Sequence, residues 1–141
     1  MIQLGLGNTF TGVEFLAANR MRGWAMEHLQ KLFATKMDIF VTPSCPITAP
    51  PIPEGALVCG ESNTPLFSTV MRYIFLVNLC GFPGMAMPIG YSSSDGMPIS
   101  IHAMADHWND DLLLRISHFI DKEVSQRQRP PAFVELAFQS R

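Results

Sequence analysis

The sequence predicts an α/β fold in which a mixed β-sheet is flanked by helices, and three observations carry that expectation. Residues 13–33 repeat apolar side chains at helical spacing. Residues 38–43 form a continuous run of β-formers, while residues 84–91 alternate bulky with small side chains. Residues 112–120 carry a second helical stripe. With 141 residues and 48% hydrophobic content, one compact unit with its own core is the default expectation.

The first element opens at Thr11-Gly12-Val13-Glu14, a capping box in which threonine and glutamate satisfy each other's orphan backbone donors. Val13, Leu16, Ala17, Met21, Trp24, Leu29, Leu32 and Phe33 then mark one face of a helix of about 22 residues, roughly 33 Å long. Asp38-Ile39-Phe40-Val41-Thr42-Pro43 reads as a strand closed by proline, covered on both faces inside a largely parallel sheet. The prolines of PSCPITAPPIPEG exclude regular hydrogen bonding, so this segment is expected to be an extended surface connector. Its prolines lack the flanking arginine or lysine that an SH3-type groove would read.

Thr64-Pro65 supplies a cap and a proline at the first helical position, and Leu66, Val70, Ile74 and Val77 or Asn78 continue one helix that stops at Gly81. Met85, Met87, Ile89 and Tyr91 alternate with Gly84, Ala86, Pro88 and Gly90, giving a strand with one bulky and one small face. Ser92-Ser93-Ser94-Asp95-Gly96 is turn chemistry, and Met97 to Ala105 is a returning strand, so a hairpin is expected. Asn109-Asp110-Asp111 places a cap and two carboxylates at the positive end of a last helix with Leu112, Leu113, Ile116, Phe119 and Ile120 inward. Beyond it, residues 126–141 are expected to form a surface tail whose Phe133, Val134, Leu136 and Phe138 dock back.

Ten basic and twelve acidic residues give a formal charge of -2, without a like-charge run to track phosphates, so nucleic acid is not an expected partner. No apolar run approaches the ~18 residues of a membrane span, and the first residues show no cationic n-region, so no transmembrane segment or leader is expected. Cys45, Cys59 and Cys80 lack C-x-x-C spacing and read as reduced, mostly buried thiols of a reducing intracellular compartment, cytoplasmic or peripheral to an internal membrane. Three strands, one needing pairing on both edges, do not complete a sheet with these helices. The missing strands are therefore expected in sequence outside this chain.

Several stretches resemble the amidase signature family. They are Asn19-Arg20-Met21-Arg22 running on to Asp38-Ile39-Phe40-Val41-Thr42-Pro43, the string Asn78-Leu79-Cys80-Gly81-Phe82-Pro83-Gly84-Met85-Ala86-Met87-Pro88-Ile89-Gly90, then Gly96-Met97-Pro98-Ile99 and Trp108 with Leu112-Leu113. Gly60-Glu61-Ser62, Met71-Arg72-Tyr73-Ile74 and Arg129-Pro130-Pro131-Ala132-Phe133 narrow the likeness to the plant and lower-eukaryote fatty acid amide hydrolases. The resemblance implies that residues 1–141 are the C-terminal segment of an amidase domain, a partial amidase-signature fold. It further implies carboxamide hydrolysis, on an N-acyl amide, by a Ser-Ser-Lys triad in a glycine- and serine-rich setting. No catalytic residue is assigned in this chain, because Ser92-Ser93-Ser94 lacks the flanking glycines of an oxyanion hole. Alone the chain is expected to be inactive, and a small-molecule amide is its partner only in the context of the full domain. Two departures bear on substrate identity: His102 where relatives usually carry glutamine, and Ala105-Asp106 where they carry glycine.

The candidate substrate-binding residues are Met71, Ile74, Phe75 and Met87, an adaptable apolar surface that would wall an acyl channel, and Asn78 beside the glycine-proline turn. His102, Asp106, His107, Asp110 and Asp111 lie close in sequence, but strand-to-turn geometry scatters their side chains, so no metal site is expected. No cofactor is expected either. The alternative reading is a non-catalytic interaction module that binds a partner, such as a catalytic polypeptide supplied in trans, through exposed sheet edges.

Overall fold

Helix α1 (Gly12–Thr35) begins where the capping box requires: Thr11 N–H donates to the Glu14 carboxylate at 2.8 Å and Glu14 N–H donates to Thr11 Oγ1 at 3.3 Å. The structure is a computed structural model and describes residues 9–124, so the expected tail at 126–141 lies outside the described residues. Only the second half of α1 is seated on the body. Leu29 is buried there, with Ala25, Met26, Leu32 and Phe33 packed around it, and Arg22 Nε donates to Leu79 O at 2.6 Å. Val13, Phe15 and Leu16 in the first turns are exposed.

The strands β1 (Ile39–Pro43), β2 (Gly84–Tyr91) and β3 (Pro98–Ala105) form a sheet of order β1-β3-β2. Pairing is antiparallel throughout, from Ile39↔Ala105 to Pro43↔Ile101 on one side of β3 and from Gly84↔Met104 to Tyr91↔Pro98 on the other. The expectation that β1 sits in a largely parallel sheet, covered on both faces, is corrected: Phe40 and Val41 are exposed and β1 pairs only with β3 among the described residues. A continuous apolar run states that both faces favour burial; it does not fix strand direction or what does the covering. The hairpin is as expected. Ser92 N–H donates to Met97 O at 2.8 Å, and Gly96 takes the left-handed φ of 69° that the turn requires.

Between β1 and β2 the chain runs through the proline-rich connector into three short helices, α2 (Ala56–Cys59), α3 (Thr64–Val70) and α4 (Phe75–Cys80). Thr48 Oγ1 donates to the Asp95 carboxylate at 2.6 Å, tying the connector to the hairpin turn. The single helix expected from Thr64 to Gly81 is thus two helices, and the cap is Asn63, whose side chain accepts from Leu66 N at 3.0 Å. Arg72 N→Thr69 O and Ile74 N→Met71 O tighten the chain into i→i+3 turns at the break. The redirected α4 buries Val77 and Cys80 against Met104 and Phe82, a seating that one straight axis through Leu66 and Val70 does not provide. Of the three thiols only Cys80 is buried; Cys45 is half-buried and Cys59 is exposed, which corrects the expectation of mostly buried cysteines, although all three are free. Cys59 ends a four-residue helix that buries no side chain.

Helix α5 (Asp110–Glu123) covers the opposite face of the sheet, where Leu113, Ile116 and Ile120 meet Met87, Ala103 and Ala105. Asp110 and Asp111 occupy its first turn as expected, but Asn109 makes no side-chain cap bond. Two cores therefore lie back to back, with β3 as their shared wall. Leu113 is only 2% exposed, and Leu113→Ala is expected to lower the unfolding free energy of the full chain by about 2–5 kcal/mol in urea titration. A loss below about 0.5 kcal/mol would show that this core does not hold the sheet.

Candidate functional site

The side of the sheet facing α4 carries an imidazole in a mostly apolar setting. Strand alternation puts His102 and Met104 of β3 on this face, opposite Thr42 and Phe40 of β1 and Ala86 and Gly84 of β2. Tyr73, Leu76 and Val77 close over them and leave a void of about 10 Å³, at the lower limit of what admits one water. Thr42 Oγ1 and Ser44 Oγ are buried and lack a hydrogen-bond partner among the described residues. Burial pushes the His102 imidazole below its ordinary range, because the surrounding apolar side chains disfavour the charged form. Gly84 makes room for the ring: a Cβ there would stand 2.9 Å from His102 Nε2 and 3.0 Å from Val77 Cγ2.

The α3–α4 junction stands directly over this layer and holds four of the five expected site residues. Met71 and Ile74 are half-buried in the turn between the helices, and Phe75 and Asn78 are exposed on α4. Asn78 donates its backbone N–H to Ile74 O at 3.2 Å. Met87 lies apart, buried in the α5 core with Leu113 and Ala103, on the far face of the sheet. The bulky face of β2 is thus the α5 face, and its small face is the one that admits His102. The sequence pattern marked Gly84 as part of a small-residue face; Thr42 and Tyr73 carried no signal that singled them out.

The residues weighed for a metal site are dispersed. His102 lies under α4, while His107 stacks on Phe82 at 4.1 Å between ring centroids and stands 3.3 Å from Gln30 Nε2. Asp111 is exposed and bonded to Arg115 at 3.3 Å. Among the described residues no three His, Cys, Asp or Glu side chains gather around one point, and no helix is long and apolar enough to cross a membrane. Ser92 and Ser94 share a hydroxyl hydrogen bond of 2.8 Å in the hairpin turn, next to the Asp95 carboxylate.

The amidase family model matches residues 3–114, which takes in both faces of this sheet and the α3–α4 junction. The chain belongs to the amidase family. It is similar to the fatty acid amide hydrolase of Medicago truncatula, 33% identical over 91% of this chain and 21% of that protein. It is also similar to the fatty acid amide hydrolase of Oryza sativa subsp. indica, 34% identical over 94% of this chain and 22% of the relative. This amidase chain therefore spans about a fifth of the length of the curated relatives it matches. Among solved structures it is similar to 6-aminohexanoate cyclic dimer hydrolase, at a TM-score of 0.67 and 24% identity over 83% of this chain and 26% of that one, a likeness of fold. The partial α/β amidase-signature architecture expected from the sequence is the one found.

Two outcomes follow from the His102 layer. The folded pKa of His102 lies below its unfolded value of about 6.5, so between the two the unfolded state binds more protons and stability rises with pH. Stability from this group is complete above about pH 6.5 and declines as pH falls from there towards the folded value. Glu14, Glu27 and Asp95, all held low by hydrogen bonds to exposed partners, act at a lower pH, where their carboxylates take up protons. Urea titrations from pH 7 to pH 5 are expected to show a smaller stability loss for His102→Gln than for the unchanged chain; equal slopes would exclude His102 as the source. Separately, Gly84→Ala is expected to cost about 1–3 kcal/mol through overpacking against His102 and Val77, with part of the loss recovered in Gly84→Ala/His102→Ala.

Proposed function

We propose that this chain is the C-terminal flank of an amidase-signature domain that hydrolyses the carboxamide of an N-acyl amide. The observation that carries this reading is the coverage by fatty acid amide hydrolases: 91% of this chain aligned with 21% of the relative. On this reading the Ser-Ser-Lys machinery lies in sequence outside the chain, and the chain alone is inactive. Its own serine cluster supports that assignment, since Ser92 and Ser94 bond each other in an exposed turn and Lys31 is engaged by Glu27 at 2.7 Å on the outside of α1. What the segment contributes is a rigid flank. The α3–α4 junction presents Met71, Ile74 and Phe75 as an acyl-facing wall, with Asn78 as a polar contact, all held in place by the layer over β3. Met87 then acts indirectly, through the core that backs the sheet. The balanced charge favours a small-molecule partner over nucleic acid, and three free thiols suit a reducing compartment.

A second reading is favoured by the sheet edge. β1 pairs only with β3 among the described residues and exposes Phe40 and Val41, so a partner polypeptide supplying the catalytic part in trans has a strand edge and an apolar surface to pair with.

The purified chain is expected to hydrolyse N-acyl amides no faster than buffer, whereas a chimera in which it replaces the matching segment of the Medicago truncatula enzyme is expected to be active. A folded but inactive chimera, or hydrolysis by the chain alone, would each overturn the flank reading. In the active chimera, Phe75→Ala is expected to lower kcat/KM for a long-chain amide by about tenfold more than for a short one. Unchanged selectivity would remove Phe75 from the acyl wall.

A further inference from the structure

The hairpin turn carries the one Asp-Gly pair in the sequence, Asp95-Gly96. The turn itself calls for both residues. Gly96 stands at a left-handed φ of 69°, where a side chain would be strained, and the Asp95 carboxylate steadies the turn by accepting from Met97 N at 3.1 Å. The same pair is open to backbone isomerisation, because glycine has no side chain to block the approach of its nitrogen to the neighbouring carboxyl carbon. In that chemistry the Gly96 nitrogen attacks Asp95 Cγ. The N–Cγ bond forms, the Cγ–OH bond of the neutral acid breaks, and the hydroxyl and the amide proton depart as one water. A second water opens the resulting five-membered imide at either carbonyl. Opening at the α-carbonyl leaves the backbone running through Cγ, an isoaspartyl linkage, with solvent water as the sole co-reactant.

In the folded chain each reacting group is committed elsewhere. The Gly96 N–H donates to Ser92 O at 2.9 Å. Thr48 Oγ1 donates to Asp95 Oδ2 at 2.6 Å, and this bond, with those from the Ser92 side chain and the Met97 N–H, holds the carboxyl below its ordinary range. An ionised carboxylate is a poor electrophile, so the imide does not close. Only the bond from Thr48 reaches across the fold, over 47 residues of sequence, whereas the others belong to the turn and accompany it wherever it forms. Thr48 sits on the proline-rich connector, whose Ala49 to Pro53 are all exposed. We propose that Asp95-Gly96 is a site of isoaspartate formation in this chain, and that the Thr48 hydroxyl keeps it closed while the connector is seated. The change is one-way for that tie: the isoaspartyl linkage lengthens the turn backbone by one atom and leaves its carboxylate on the α-carbon, so Thr48 loses its acceptor.

The test is incubation of the full chain at about pH 7, with isoaspartate at position 95 followed by electron-transfer fragmentation mass spectrometry. Thr48→Val is expected to form it about fivefold faster than the unsubstituted chain, as loss of one hydrogen bond to a charged group allows. Thr48→Ser, which keeps the hydroxyl, is expected to match the unsubstituted chain, and the chain unfolded in urea to be faster than all three. Equal rates for Thr48→Val and the unsubstituted chain would overturn the proposal. So would equal acceleration in Thr48→Val and Thr48→Ser, which would assign the protection to the threonine methyl, and so would an unfolded chain that forms no isoaspartate at position 95. Cys80, buried in the folded chain, reports unfolding by its reaction with a maleimide. Should it react in Thr48→Val, Thr48→Ala takes that variant's place with the same expectation.

Discussion

Both hydrophobic cores of the described residues are built on β3. It is the middle strand, hydrogen-bonded on both edges, and its last residues Ala103, Met104 and Ala105 are 0%, 2% and 0% exposed. Successive side chains of a strand point to opposite faces, so adjacent residues serve different cores. Ala103 and Ala105 are small enough to let α5 lie close, while Met104 reaches the other way into the layer formed by α1 and α4. A slip of one residue in its pairing would exchange the two sets and empty both cores.

The candidate site is a consequence of that alternation. His102, one residue before Ala103, faces α4, where burial lowers its pKa, and β2 presents Gly84 beside it, where a Cβ would stand 2.9 Å from Nε2. The half-buried turn at Met71 and Ile74 and the exposed Phe75 and Asn78 inherit their positions from Val77 and Cys80, which anchor α4 on this layer. Arg22 adds a bond from α1 to the carbonyl of Leu79, so the long helix braces the same element from outside. The first turns of α1 and Phe40 and Val41 of β1 carry exposed apolar side chains.

Much of this was legible in the residues. The Thr11 and Glu14 box, the turn at Gly96, the alternation of β2 and the Leu113, Ile116 and Ile120 stripe of α5 are local patterns, and local patterns report on structure whose hydrogen bonds are local; Phe119, expected inward with that stripe, is instead exposed. The amidase family was legible too, in the string from Asn78 to Gly90, because glycines and prolines at fixed spacing record backbone constraints that few folds share. The five candidate site residues were chosen by chemical type, and type does not say which side of a sheet a residue occupies relative to a helix elsewhere. Met87 is the clear instance: alternation paired it with Met85, but only the position of α5 puts that pair on the far side from Phe75.

The sequence by itself determined where α1, the hairpin strands and α5 begin, which face of β2 is bulky, and the family, since these depend on propensity and periodicity over a few residues. Tertiary structure decided that β1 runs antiparallel to β3, that the stretch from Thr64 to Cys80 breaks at Met71 to Ile74, and that His102 is seated beside Gly84. Those outcomes depend on contacts between residues many positions apart, where burial of Val77 and Cys80 outweighs the modest gain of continuing one short helix.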